Sequence, residues 1–127
     1  MFRRAFWLLL FSVGSTVAQD LPSGPLPESG DFDIGYQSVA AVLASLTGRE
    51  DVTIATVRDW TIITATKHLT VWSFAPASYS AYPAVVRRVV RARSDGGSDI
   101  DMSVLCEASK EACDQLVREF VAMNKRI

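Results

Sequence analysis

Residues 84–93 read Ala84-Val85-Val86-Arg87-Arg88-Val89-Val90-Arg91-Ala92-Arg93, a stretch with two possible periods. Its valine pairs recur four apart, which suits one face of a helix. Three features favour a strand instead. The valines are β-branched and stiff at χ1. Asp95-Gly96-Gly97 follows as a turn. The next run alternates, with Ile100, Met102, Val104 and Cys106 facing one way and Asp99, Asp101 and Ser103 the other. A hairpin gives both runs a partner.

Upstream, Val52 to Phe74 carries the same period of two. Val52 to Val57 is rich in β-branched residues; Trp60, Ile62 and Thr64 alternate with Thr61 and Ile63; Leu69, Val71 and Ser73 alternate with Thr70, Trp72 and Phe74. These predict three consecutive strands with turns near Arg58-Asp59 and Thr66-Lys67. Ala75 to Pro83 (APASYSAYP) is a loop by its prolines and serines.

Helical spacing appears at the two ends of this run. Ser109 to Lys125 places Cys113, Leu116, Val117, Phe120 and Met123 on one stripe, with Ser109 as N-cap, Asp114/Arg118 as an i,i+4 pair, and Lys125 and Arg126 complementing the helix dipole. Asp33 to Gly48 places Tyr36, Val39, Ala40, Leu43, Leu46 and Thr47 at helical spacing, with Asp33 as N-cap and Gly48 just past the end. The expected fold is α+β, in the order α-β-β-β-β-β-α: an antiparallel meander sheet of about five strands with both helices packed on one face. No internal repeat is present.

The N-terminus has the three parts of a secretory signal peptide: basic Arg3-Arg4, apolar Ala5 to Gly14, and a small-residue exit at Ser15 to Ala18. The apolar part is about half the ~20 residues that span a bilayer, which argues against a membrane anchor. The expected organisation is a signal peptide over 1–18, a flexible Pro/Gly-rich leader over 19–32, and a single α+β domain over 33–127. Removing residues 1–18 takes away Arg3 and Arg4 and no acid, so the formal charge moves from −1 to −3. Such a domain has no global attraction for nucleic acid, and it does not span a membrane once processed. A periplasmic or secreted location follows, and there Cys106 and Cys113 are expected to form a disulfide. The short loop makes that bond worth about 2–3 kcal/mol. A redox pair would need Cys-x-x-Cys, and six residues separate these two.

Trp72-Ser73-Phe74, Ala81-Tyr82-Pro83, Val85-Val86-Arg87-Arg88, the run Met102 to Cys106, Ala108-Ser109-Lys110, Cys113, Glu119-Phe120 and Asn124 together carry a resemblance. Over residues 33–126 the chain resembles a family of small, uncharacterised exported (periplasmic) proteins of Gram-negative bacteria. The resemblance implies export and one compact domain. It implies no activity and transfers no catalytic residue.

His68 is the single histidine. A histidine zinc site usually takes two or more, and no cysteine cluster compensates, so no metal or other cofactor is expected. No nucleophile-elbow pattern surrounds any serine, and His68 reads as a solvated turn residue beside Lys67. Asp99 and Asp101 share a strand face about 7 Å apart by strand rise, a spacing open to acid–base work or weak calcium binding. Cross-strand ion pairs with Arg88, Arg91 or Arg93 are the simpler reading.

Two features suit binding. Arg87, Arg88, Arg91 and Arg93 form a basic stripe interleaved with valines, and Tyr79 and Tyr82 lie in an aromatic, proline-bearing loop. Trp72 and Phe74 nearby read as core. The expected function is a non-catalytic binding protein of inhibitor, immunity or envelope-accessory type. Its partner would be a protein or an anionic envelope component, met through Tyr79, Tyr82 and the arginine strand. Two alternatives are a small hydrolase using His68 and a structural subunit that oligomerises through an open sheet edge.

Overall fold

The computed structural model describes residues 34–126. The expected signal peptide (1–18), leader (19–32) and Asp33 cap lie outside the described residues. The elements are α1 (Val39–Thr47), β1 (Thr53–Val57), β2 (Trp60–Ala65), a short 3-10 turn (Thr66–His68), β3 (Thr70–Phe74), β4 (Ala84–Ala92), β5 (Ser98–Cys106) and α2 (Lys110–Asn124). The five strands pair antiparallel in sequence order, an open meander. The α+β class and the order of elements are those expected, and residues 84–92 are a strand.

The turns follow from local chemistry. Val57 and Trp60 close β1 and β2 around Arg58 and Asp59, both left-handed at φ 50° and 72°. Two central residues with positive φ make the mirror-image turn whose twist matches that of paired strands. At the β4–β5 turn, Gly96 takes φ 92°, which a side chain would oppose. The Asp95 carboxylate there accepts the Gly97 N–H at 2.9 Å and holds the turn from inside.

Helix α1 begins later than its apolar spacing suggests. Ser38 is its N-cap and accepts the Ala41 N–H at 3.1 Å, while Gly35 takes φ 88° and breaks any earlier helical run. Tyr36 therefore precedes the helix and is exposed; Leu43 is exposed too, and Val39, Val42 and Leu46 are the buried face. Gly48 ends the helix in right-handed rather than left-handed conformation. In α2, Ser109 caps the N-terminus by accepting the Ala112 N–H at 3.2 Å, and Leu116, Val117 and Phe120 are buried. Met123, expected on the same stripe, is exposed, and Asp114 pairs with Lys110 rather than Arg118.

The expectation that both helices share one face is corrected. Val39, Val42 and Leu46 of α1 pack with Ile63, Trp72, Phe74 and Val85. Leu116, Val117 and Phe120 of α2 pack with Ala84, Val86 and Val104. Val85 and Val86 are neighbours on β4, and neighbours on a strand point to opposite faces. Both are completely buried, so one helix covers each face. The sheet is the middle layer of three.

The disulfide joins Cys106, the last residue of β5, to Cys113 in α2 across a Cα–Cα distance of 5.9 Å. Glu107, just after Cys106, accepts the Val39 N–H at 2.7 Å. The β5–α2 connection thus tethers α2 covalently and places a carboxylate at the positive end of α1.

Candidate functional site

The six residues expected to form one binding surface are dispersed. Tyr82 and Ala84 stand at one end of β4 and Arg91 near the other, about 25 Å away at strand rise. Alternation then divides the arginines. Arg87 and Arg91 share the α1 face, while Arg88 lies on the α2 face with Val86 and Val90.

Tyr79 is a packing residue in this structure. Its ring meets Trp60 edge-on at 4.9 Å, Trp60 in turn lies 5.7 Å from Phe120, and its hydroxyl donates to Glu119 of α2. Gln115 also donates to Glu119, at 3.2 Å, and steadies that acceptor. Burial, joined by the Glu119 carboxylate, pushes the Tyr79 phenol up to about 12. Tyr82 is exposed, beside a cis bond to Pro83.

Arg91 and Arg93 are engaged by acids, as the cross-strand reading of Asp99 and Asp101 expected, whereas Arg88 is not. Arg91 pairs with Asp101, and Arg93 pairs with Asp99 at 2.8 Å and Asp95 at 3.1 Å. Those hydrogen bonds raise the Arg93 guanidinium and hold Asp95 below the usual carboxylate range, the Gly97 N–H being the larger influence on Asp95. All these groups are well exposed, where solvent screens such pairs and they add little to stability. Their charges offset one another, so the hairpin tip is no basic stripe.

Among the described residues, Arg87 and Arg88 are paired with no carboxylate. Arg87 donates to Ser103 across the ladder at 3.2 Å. Arg88 is more confined. Its guanidinium lies over the Phe120 ring at 5.2 Å, and among the described residues its Nη1 reaches Asn124 Oδ1 and Met123 Sδ, both at 3.5 Å. Its Nε, like that of Arg87, is buried with no acceptor among the described residues. Burial lowers its pKa, yet an arginine in a protein stays charged.

Beside Arg88 runs a groove between the C-terminal half of α2 and the far half of the β4–β5 hairpin. Val90, Ile100 and Met102 form its floor, and Val121, Asn124 and Lys125 form its α2 wall. Asn124 and Met102 touch each other through Nδ2 and Sδ at 3.6 Å, and Met102 pairs with Arg88 across the ladder. Arg88 itself does not line the groove; it adjoins the groove through Asn124 of the α2 wall and Met102 of the floor. The groove can therefore take an apolar segment, with an anion at its Arg88 margin. Sequence reasoning missed its α2 wall. The signal available was Asn124-Lys125-Arg126, a polar and basic end to an apolar stripe.

His68 lies exposed in the 3-10 turn, and its carbonyl accepts the Thr70 hydroxyl at 2.9 Å. Asp51 is held by Arg49 at 2.8 Å rather than by His68. Among the described residues, no three or more of His, Cys, Asp and Glu gather in a way that could hold a metal, and no helix is long and apolar enough to cross a membrane. Comparison with family models, with curated proteins and with solved structures returned no match.

Proposed function

We propose that the chain is an exported, non-catalytic binding protein of the cell envelope, of inhibitor, immunity or accessory type, which engages an acidic segment of a partner protein in the groove beside Arg88. The observation that carries this reading is Arg88 itself. A half-buried guanidinium without a carboxylate has lost hydration and gained little in return. An incoming carboxylate supplies the missing charge-assisted bonds in a fork geometry that arginine suits. The apolar floor gives the flanking side chains of the partner somewhere to go, and buried arginines rank among the residues on which interface energy concentrates. The sequence pattern over residues 1–18 and the Cys106–Cys113 bond support a periplasmic or secreted setting.

The test is a titration of isotopically labelled protein with a peptide of alternating leucine and glutamate, beside a leucine–lysine control. The acidic peptide is expected to shift the Arg88 side-chain resonance and those of Met102 and Val121. Arg88→Leu, which keeps the packing on Phe120, is expected to weaken that binding at least about tenfold, or ~1.4 kcal/mol. Equal response to both peptides, or binding that survives Arg88→Leu, overturns the proposal.

A further inference from the structure

Two thioethers stand around Arg88. Met123 Sδ lies 3.5 Å from Arg88 Nη1, and Asn124 Oδ1 is the other acceptor for that same nitrogen. The Asn124 amide in turn donates through Nδ2 to Met102 Sδ at 3.6 Å. Met102 is also the cross-strand partner of Arg88. A thioether is a weak acceptor, and a guanidinium is a charged donor of five N–H groups. Arg88 therefore meets sulfur where an oxygen would serve it better.

These sulfurs are also the ones open to oxidation. The sequence holds two cysteines and three methionines. Both cysteines are joined in the Cys106–Cys113 bond, so neither is a free thiol. A thiolate would otherwise react first. Met1 lies outside the described residues. Of the other two, Met123 is 40% exposed at the end of α2, whereas Met102 is half-buried on the groove floor. An oxidant from solvent reaches Met123 first.

The co-reactant is a peroxide. A lone pair of Met123 Sδ forms an S–O bond as the O–O bond breaks, so the sulfur gives two electrons and the peroxide is reduced. The departing hydroxide takes the proton of the transferred oxygen and leaves as water. The product is a sulfoxide, polar where the thioether was apolar. Its oxygen is one bond from a sulfur already 3.5 Å from Nη1, within hydrogen-bond reach of the guanidinium. The bond it accepts is charge-assisted, the kind Arg88 lacks with sulfur.

We propose that Met123 is an oxidation site facing Arg88: its sulfoxide oxygen takes up the guanidinium and closes the neighbouring groove to acidic segments. The closing of the groove rests on the binding reading given above; the capture of Arg88 by the sulfoxide does not.

The test treats isotopically labelled protein with limiting hydrogen peroxide. Peptide mapping is expected to place the added oxygen on Met123 ahead of Met102. The Arg88 side-chain resonances are expected to shift, and its guanidinium protons to exchange more slowly with water, with unchanged circular dichroism. Met123→Leu keeps the apolar bulk without the sulfur and is expected to abolish that response, whereas Met102→Leu is expected to keep it. In a second arm, oxidation is expected to weaken binding of the leucine–glutamate peptide at least about tenfold, as loss of Arg88 itself would. Oxidation of Met102 before Met123, an oxidised Met123 that leaves Arg88 unmoved, or an Arg88 response that survives Met123→Leu overturns the proposal. Equal binding of the peptide before and after oxidation overturns it too. A peptide that does not bind the untreated protein counts against the acidic-segment reading instead, and the Arg88 resonances then decide the oxidation site alone.

Discussion

On the face of the sheet that carries Ile63, Trp72 and Val85, α1 is held by apolar packing, its Ser38 cap and the single Glu107 bond to its first turn. On the other face α2 is held by a disulfide, an aromatic cluster of Trp60, Tyr79 and Phe120, and a tyrosine–carboxylate hydrogen bond from the 75–83 loop. One layer is a short helix of nine residues on a greasy surface. The other is a helix of fifteen with covalent and polar ties. The groove proposed for binding lies in the second layer, where the ties hold its α2 wall against the hairpin. A rigid scaffold beneath a binding surface lowers the ordering cost of association.

The largest effects come from asking whether the two layers stand or fall together. Trp72→Ala on the α1 face is expected to cost about 3–5 kcal/mol, and Leu116→Ala on the α2 face about 2–5 kcal/mol. Both side chains are buried, Leu116 completely. Val85 and Val86 transmit either loss through one strand to both layers, so urea melts of both variants are expected to show one transition by fluorescence and circular dichroism alike. A variant in which α1 melts while the α2 layer persists would break the picture of a shared middle layer.

Next in size is the disulfide. Replacing both cysteines by serine is expected to cost about 2–3 kcal/mol. Hydrogen exchange sharpens the comparison: amides of α2 should lose more protection than those of α1, because the bond tethers only the second layer. Equal loss in both helices would mean that the bond acts on the unfolded chain alone.

The contrast between the layers also explains what could be read in advance. Period-two alternation identified β2, β3 and β5, and Asp95-Gly96-Gly97 settled β4 as their neighbour, because these signals are local. Ser109 and the Leu116-Val117-Phe120 stripe located α2 for the same reason. The placement of helices on both faces was written less plainly. Trp72-Ser73-Phe74 and Ala84-Val85-Val86 are each buried without interruption, and unbroken buried runs belong to strands covered on both sides. The start of α1 was missed because Gly35 at positive φ overrides a helical spacing that begins before it. The site was the least legible part. The Tyr79–Glu119 bond joins residues forty apart, and nothing local announces it. The arginines of residues 84–93 look alike in sequence, yet among the described residues Arg91 meets a carboxylate and Arg88 meets none, a difference set by register and by the end of α2.

The smallest expected effect belongs to Tyr79, the ionisable tie of the second layer. Its phenol ordinarily ionises near 10.0 and is pushed up to about 12, by burial first and by the neighbouring Glu119 carboxylate next. A phenol that keeps its proton longer when folded adds stability that is fully present below pH 10.0 and is lost as pH rises toward 12. The hydroxyl is open enough to water that screening makes this contribution small. Tyrosinate absorbance during an alkaline titration should show a late step that Tyr79→Phe removes. Glu119→Gln separates the causes, since it deletes the charge and keeps the packing. Burial is the largest single cause, so part of the delay should remain. A Tyr79 that ionises near 10.0 in the native protein would mean that the loop is not docked on α2, and the second layer would then lose its polar tie while keeping its disulfide.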